Sequence, residues 1–312
     1  MFSFQGDGRT LILHAVEPLP IESKLHTELP LPSKIKQVDG LQVLRAVAVL
    51  LVCWEHTNQH LFRLDGWNLP TINAFGVDIF FVISGFILSL VVLRSRRPAG
   101  ARASWEFFKR RLIRIYPIYW IFCLVGAAQY LHRMHHLDLA QVWPIALLLP
   151  LVKYPRQFFL VDYSWTLVFE MSFYFLLAVI QLVTVKRAMA VLIALQCVMV
   201  GMRLLFSIKR PVLIIACNPM LLEFIYGALI AMAFDAFGRR RKLGIALAVV
   251  GAGAAIGMSA FNVVSPPAQW IMEDQSVLFR VVTWGIAGAC LVGGVVFWLP
   301  ETTGRISKTM VV

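Results

Sequence analysis

Arg45 and His56 lie eleven residues apart in one apolar run. At 100° per residue, eleven steps end about 20° past three full turns, so the two side chains share one helix face, about 16 Å apart along the axis. An ionisable side chain inside a membrane-length helix costs about 2.5 kcal/mol or more, which directs such a face to the interior of a helix bundle. An imidazole held there suits general-base chemistry. The other reading is an arginine snorkelling at the membrane edge and a histidine hydrogen-bonded in the core. Glu170 follows Ser164-Trp165-Thr166-Leu167 in a later run, with Tyr174 one helical turn on. At a depth comparable to that of His56, its carboxylate would fix the imidazole tautomer and raise its basicity. Otherwise Glu170 and Tyr174 form a structural hydrogen bond. Glu223 is a third buried acid to which the sequence assigns no partner.

Arg111 and Arg114 are i and i+3 in Lys109-Arg110-Arg111-Leu112-Ile113-Arg114, so they meet on one face. Two guanidinium groups so placed clamp a phosphate or pyrophosphate; the plainer reading is a topology anchor on anionic lipid headgroups. Ser84–Gly85 puts small residues in mid-helix, where another helix or a ligand approaches closely, and Asp78 sits near the membrane entrance of that helix. No metal is expected. His56 and His60 have i, i+4 spacing, but Glu55 precedes the first histidine and Thr57 follows it, so HExxH is not formed. His132, His135 and His136 read as a solvated loop group, and the five cysteines lie in apolar runs without a CxxC pair.

The elements that carry these residues are set by composition. The chain of 312 residues is 59% hydrophobic and 15% charged, with mean hydropathy +0.74. A soluble domain is nearer half apolar and a quarter charged, which excludes a soluble enzyme, a disulfide scaffold and a disordered chain. Apolar runs of about 20 residues, the length that crosses a bilayer core as helix, occupy 41–60, 74–93, 115–131, 165–185, 189–208, 212–236, 243–262 and 279–299. A ninth run, 141–152, is shorter and holds Pro144. The fold class is therefore all-α, a polytopic integral membrane bundle of eight to nine spans. With eight crossings and a cytoplasmic N-terminus, 20 of the 29 Lys and Arg fall on the cytoplasmic side and 8 outside, eight of the 20 in a loop at 94–114. The net charge of +12 thus belongs to membrane topology, and nucleic acid is not an expected partner. Residues 1–40 read as a polar cytoplasmic leader, 41–300 as the transmembrane domain and 301–312 as a short tail.

Taken in order, Arg45 with His56, Gly76-Val77-Asp78-Ile79-Phe80-Phe81-Val82-Ile83-Ser84-Gly85-Phe86, Arg110 to Trp120 (RRLIRIYPIYW), Trp165 to Glu170 (WTLVFE) and Leu221 to Ala231 (LLEFIYGALIA) resemble the motifs of the membrane-bound acyltransferase 3 family. That family O-acylates cell-surface carbohydrates and related acceptors. The resemblance implies His56 as the catalytic histidine, Arg111 and Arg114 as the pair that handles the acyl donor, and Arg45 as the basic partner in the first motif. On the reading of the residues above, Glu170 assists His56, and Arg45, Ser84 and Trp165 are further substrate-binding candidates. The resemblance implies acetyl-CoA, or another acyl-CoA, as co-substrate rather than bound cofactor, a carbohydrate acceptor, and a place in the inner or plasma membrane. Two departures stand out: Glu55 precedes the histidine, and the chain stops near where a last family span would begin, as a C-terminally truncated member would.

The expected path takes the pantetheine arm of the donor between the first two helices, past Ser84–Gly85, to His56. Acceptor entrance is expected at the loops 61–73 and 132–164, where Trp143, Tyr154 and Tyr163 stack on a sugar or form an interfacial aromatic belt. Buried Arg, His and Glu also mark transport paths, so a transporter or flippase of lipid-linked or acylated sugars is the rival reading.

Overall fold

Ten helices build the described part of the chain, and most coincide with the apolar runs because a run of that length buries its backbone hydrogen bonds only as helix. They are α1 (Asp39–Thr57), α2 (Phe75–Leu93), α3 (Ala101–Met134), α4 (Leu139–Ala146), α5 (Trp165–Val183), α6 (Ala188–Leu205), α7 (Pro211–Ala216), α8 (Leu221–Phe237), α9 (Arg241–Ala260) and α10 (Val277–Trp298). The structure is a computed structural model and describes residues 39–57, 75–95, 98–135, 138–150, 161, 164–185, 187–261, 263 and 277–298. The leader, His60, His136, the loop 61–73, Tyr154, Tyr163 and the tail lie outside the described residues. No strand occurs among the described residues.

Seven helical stretches are long and apolar enough to cross a membrane: α2, α3, α5, α6, α7 with α8, α9 and α10. With 19 residues, α1 equals α2 in length but is not among the seven; it carries Arg45, Glu55 and His56. Counted with them, it gives the eight expected crossings. The ninth run is a different object. Its helix, α4, has eight residues, about 12 Å at 1.5 Å each, too short to cross. Asp138 caps it, accepting a hydrogen bond from the Ala140 amide at 2.9 Å. At its other end, α3 takes up the exposed carbonyls. Tyr116, Tyr119 and Trp120 donate to the carbonyl oxygens of Leu147, Ile145 and Ala146 at 2.6, 2.8 and 2.9 Å.

Two expectations are corrected. The basic segment at 94–114 is a loop only as far as Gly100. From Ala101 it is the first third of a 34-residue helix that runs on through Pro117. Beyond Pro98 and Gly100 no breaker stands in the way, and Arg102 pairs with Glu106 at i, i+4 across 3.2 Å. A search for bilayer-length apolar runs misses such a helix because its first turns are charged. The run at 212–236 is broken between α7 and α8. Asn218 accepts from the Met220 amide at 2.9 Å, Pro219 follows it, and two buried α6 side chains satisfy carbonyls of the broken end: Gln196 donates to Ala216 at 3.2 Å and Arg203 to Ile214 at 2.8 Å.

The centre of the bundle is α2, 72% of whose spanning window is buried, against 11% for α9. Gly85 lies on the backbone of Phe224, and Gly227 lies on the Val82 carbonyl and the Phe86 amide; a Cβ at either would collide with main chain. This reciprocal seam brings α2 and α8 to backbone contact. Phe81 and Phe173 stack on the two sides of Phe224 at 4.6 Å, with Trp165 and Phe169 edge-on to Phe81 at 6.3 and 6.1 Å. At the far end of the seam Arg94 pairs with Asp235 at 3.2 Å and lies over the Phe234 ring.

Candidate active site

Four helices deliver polar side chains to one place. From α2, Ser84 donates a hydrogen bond to Glu170 Oε1 on α5 at 3.1 Å. Tyr174, one turn along α5, is the second hydrogen-bond partner of that carboxylate. From α3, Arg111 and Arg114 come within electrostatic reach of Glu170 and Tyr174. From α1, Arg45 comes within reach of Arg114, Glu170 and Tyr174. The i, i+3 spacing on α3 and the i, i+4 spacing on α5 set the two pairs side by side.

The electrostatics of this group are lopsided. Three guanidinium groups face one carboxylate. Arg111 lies over the Phe107 ring at 5.6 Å, and its Nε is buried without a hydrogen-bond partner among the described residues. Arg114 is exposed and Arg45 and Arg111 are half-buried, so the group is not sealed from solvent. Such a site takes an anion with several oxygens, because each planar guanidinium presents paired donors.

Of the residues singled out by sequence, Arg45, Ser84, Arg111, Arg114 and Glu170 are therefore brought together. His56 is half-buried at the end of α1, eleven residues from Arg45, next to the buried Glu55. The partners of Glu170 set its carboxylate among the arginines at the depth of Arg45, which is not the depth expected for it. Trp165 is 5% exposed and packed edge-on against Phe81 and Phe169, so it forms wall behind the site and offers no free face. The expected path past Gly85 is filled by α8, since Gly85 meets the Phe224 backbone. His135 caps α3 in the left-handed conformation at φ 57°, donating its amide to Leu131 at 2.8 Å, and Trp143 is exposed on α4.

Tyr174 holds Glu170, the alternative that their i, i+4 spacing offered. Sequence reading missed one thing: Asp78 and Glu223 find each other and Arg280, which stands at the start of the apolar run 279–299. No group of three or more His, Cys, Asp or Glu with metal-holding geometry occurs among the described residues.

Comparison with known proteins agrees with the motifs. A Staphylococcus aureus (strain COL) protein named as a candidate O-acetyltransferase is 32% identical over 172 residues, which are 49% of this chain and 27% of that protein. The exopolysaccharide production protein ExoZ of Rhizobium meliloti is 31% identical over 51% of this chain and 50% of its own length. The O-acetyltransferase OatA of Staphylococcus aureus is 23% identical over 80% of this chain and 44% of its own length. The chain thus spans half or less of these relatives. No solved structure matches it. The acyltransferase domain matches over residues 38–309, and the chain accordingly belongs to the membrane-bound acyltransferase 3 family.

Proposed function

We propose that this chain transfers an acyl group, acetyl in the simplest case, from acyl-CoA to a hydroxyl of a carbohydrate acceptor. The single observation that carries the reading is the convergence of Arg45, Arg111 and Arg114, from two helices, on one carboxylate. Excess guanidinium at that point fits the phosphates of coenzyme A. Glu170, held by Ser84 and Tyr174, offsets the mutual repulsion of the arginines and keeps them gathered at one place. His56 then stands about 16 Å along α1 from Arg45, a separation on the scale of the pantetheine arm between the phosphates and the thioester.

The chemistry follows from that spacing. The imidazole of His56 takes the proton from the acceptor hydroxyl, and the oxygen attacks the thioester carbonyl. The C–S bond breaks, and the departing thiolate recovers the proton from the imidazolium. General-base assistance of this kind contributes about 10² to 10⁴ in rate. The name of ExoZ supports a polysaccharide acceptor and that of OatA supports acetyl as the group transferred, and the distribution of basic residues supports the inner or plasma membrane with the N-terminus in the cytoplasm. One feature favours the rival reading, a transporter of lipid-linked sugars: the break between α7 and α8, since discontinuous helices line transport sites.

Release of free CoA thiol from acetyl-CoA, measured in membranes with and without a carbohydrate acceptor, separates the two. The expected result is acceptor-dependent release that His56→Ala abolishes. Full turnover in His56→Ala removes the base assignment, and acceptor transport with acetyl-CoA intact establishes the rival.

A further inference from the structure

Apart from the arginine group, the bundle holds a second charged cluster that the acyl-transfer reading does not use. Asp78 on α2, Glu223 on α8 and Arg280 on α10 are 0%, 0% and 1% exposed. Arg280 grips Asp78 with a two-point fork, Nε to Oδ1 at 3.0 Å and Nη2 to Oδ2 at 2.5 Å. The Glu223 carboxyl lies within hydrogen-bonding reach of the Asp78 carboxyl. It is seated where α10 presents Gly285; a Cβ there would stand 2.9 Å from Glu223 Oε1. Neither oxygen of Glu223 receives a hydrogen bond from an N–H or O–H of the described residues. Among the described residues, the charged or titratable groups that act on Glu223 are Asp78 from α2, Arg280 from α10 and Tyr226 from α8 itself.

Two facts about carboxyls constrain this arrangement. An ionised carboxylate accepts hydrogen bonds and donates none, so two of them cannot bond to each other. Two carboxylates against one guanidinium also leave an uncompensated negative charge, which is costly in a membrane-buried interior. One proton resolves both. It cannot sit on Asp78 without weakening the fork to Arg280, which leaves Glu223 as its holder.

We propose that Glu223 is a membrane-embedded proton-binding site, a neutral carboxylic acid donating to the Asp78 carboxylate that Arg280 clamps, and that α2, α8 and α10 hold this arrangement while the proton is bound. The proton is taken from water as the bundle forms and returned to water when it comes apart. The folded chain therefore binds one proton more than the unfolded chain once the solution is above the range where a free glutamate ionises, and stability falls as pH rises. This inference does not depend on the acyl-transfer reading.

The test uses the full chain in detergent or nanodiscs. At neutral pH the infrared difference between wild type and Glu223→Gln shows the carbonyl band of a protonated carboxylic acid, shifted in D₂O and lost in the variant. The amide is isosteric with the protonated acid, so Glu223→Gln folds, and its midpoint of thermal unfolding changes less between pH 6 and pH 9 than that of wild type. In Asp78→Asn the fork passes to Glu223, which ionises, so the band also disappears. A wild-type band that survives in Glu223→Gln or in Asp78→Asn, its absence from wild type, equal pH slopes, or misfolding of Glu223→Gln alone would each overturn the proposal.

Discussion

The arginine group and the Asp78–Glu223–Arg280 triad hang from the same helix, Ser84 and Asp78 being six residues apart on α2, yet they handle charge in opposite ways. The arginine group has more cation than anion, leaves Arg114 exposed, and leaves Arg111 Nε without a partner among the described residues. The triad has more carboxyl than guanidinium, is closed to solvent and joins three helices. Unbalanced charge that stays accessible is a receptor for a ligand of the other sign. Unbalanced carboxyl charge that is sealed favours keeping a proton.

Substitutions that remove one side of this contrast should have graded effects. Arg280→Leu strips the triad of its only cation and strands two buried carboxyls; a loss of about 3–5 kcal/mol of stability is expected, read as a lower midpoint of thermal unfolding. Gly85→Ala strikes the scaffold common to both clusters, because its Cβ would fall on the Phe224 main chain. Overpacking of this kind costs about 1–3 kcal/mol, and the same thermal measurement should show it. Arg111→Ala with Arg114→Ala should leave the unfolding midpoint nearly in place while acyl-CoA affinity drops at least about tenfold, or about 1.4 kcal/mol, in calorimetric titration. The wild-type affinity should weaken with added salt more steeply than that of this double variant. Ser84→Ala removes one strut from Glu170 and should cost only about 0.6 kcal/mol, visible as a small rise in the Michaelis constant for acyl-CoA.

The sequence made the spans legible because a bilayer-length apolar run has almost no alternative to helix. The same logic explains the failures. The first third of α3 is charged, so only its helix formers and the Arg102–Glu106 pair signalled it. The break before α8 was written in Asn218–Pro219, a turn signal submerged in an otherwise continuous apolar run. Face arithmetic within each helix set Arg111 beside Arg114 and Glu170 beside Tyr174, but it paired Glu170 with His56, and only the packing of α1, α3 and α5 brings that carboxylate to the arginines. The partners of Glu223 did not, because Asp78 and Arg280 lie 145 and 57 residues away along the chain and no local spacing relates them. Arg280 in particular stands at the first turn of α10, at the start of an apolar run, where no neighbouring acid signals a partner.

The glycine face of α9 has a consequence for biosynthesis. Gly244 rests on the backbone of Phe297 and Trp298, Gly251 on Ala287 and Leu291, and Gly294 of α10 on Ala248. Gly244 and Gly251, two of the four glycines of α9, thus find their close contacts on α10, which leaves the ribosome after it. While the nascent chain grows, α9 enters the bilayer with its small-residue face turned to lipid and without the surface it will later fit. Its final position is settled only when α10 arrives, so the order of synthesis, and not affinity alone, decides when this edge of the bundle closes.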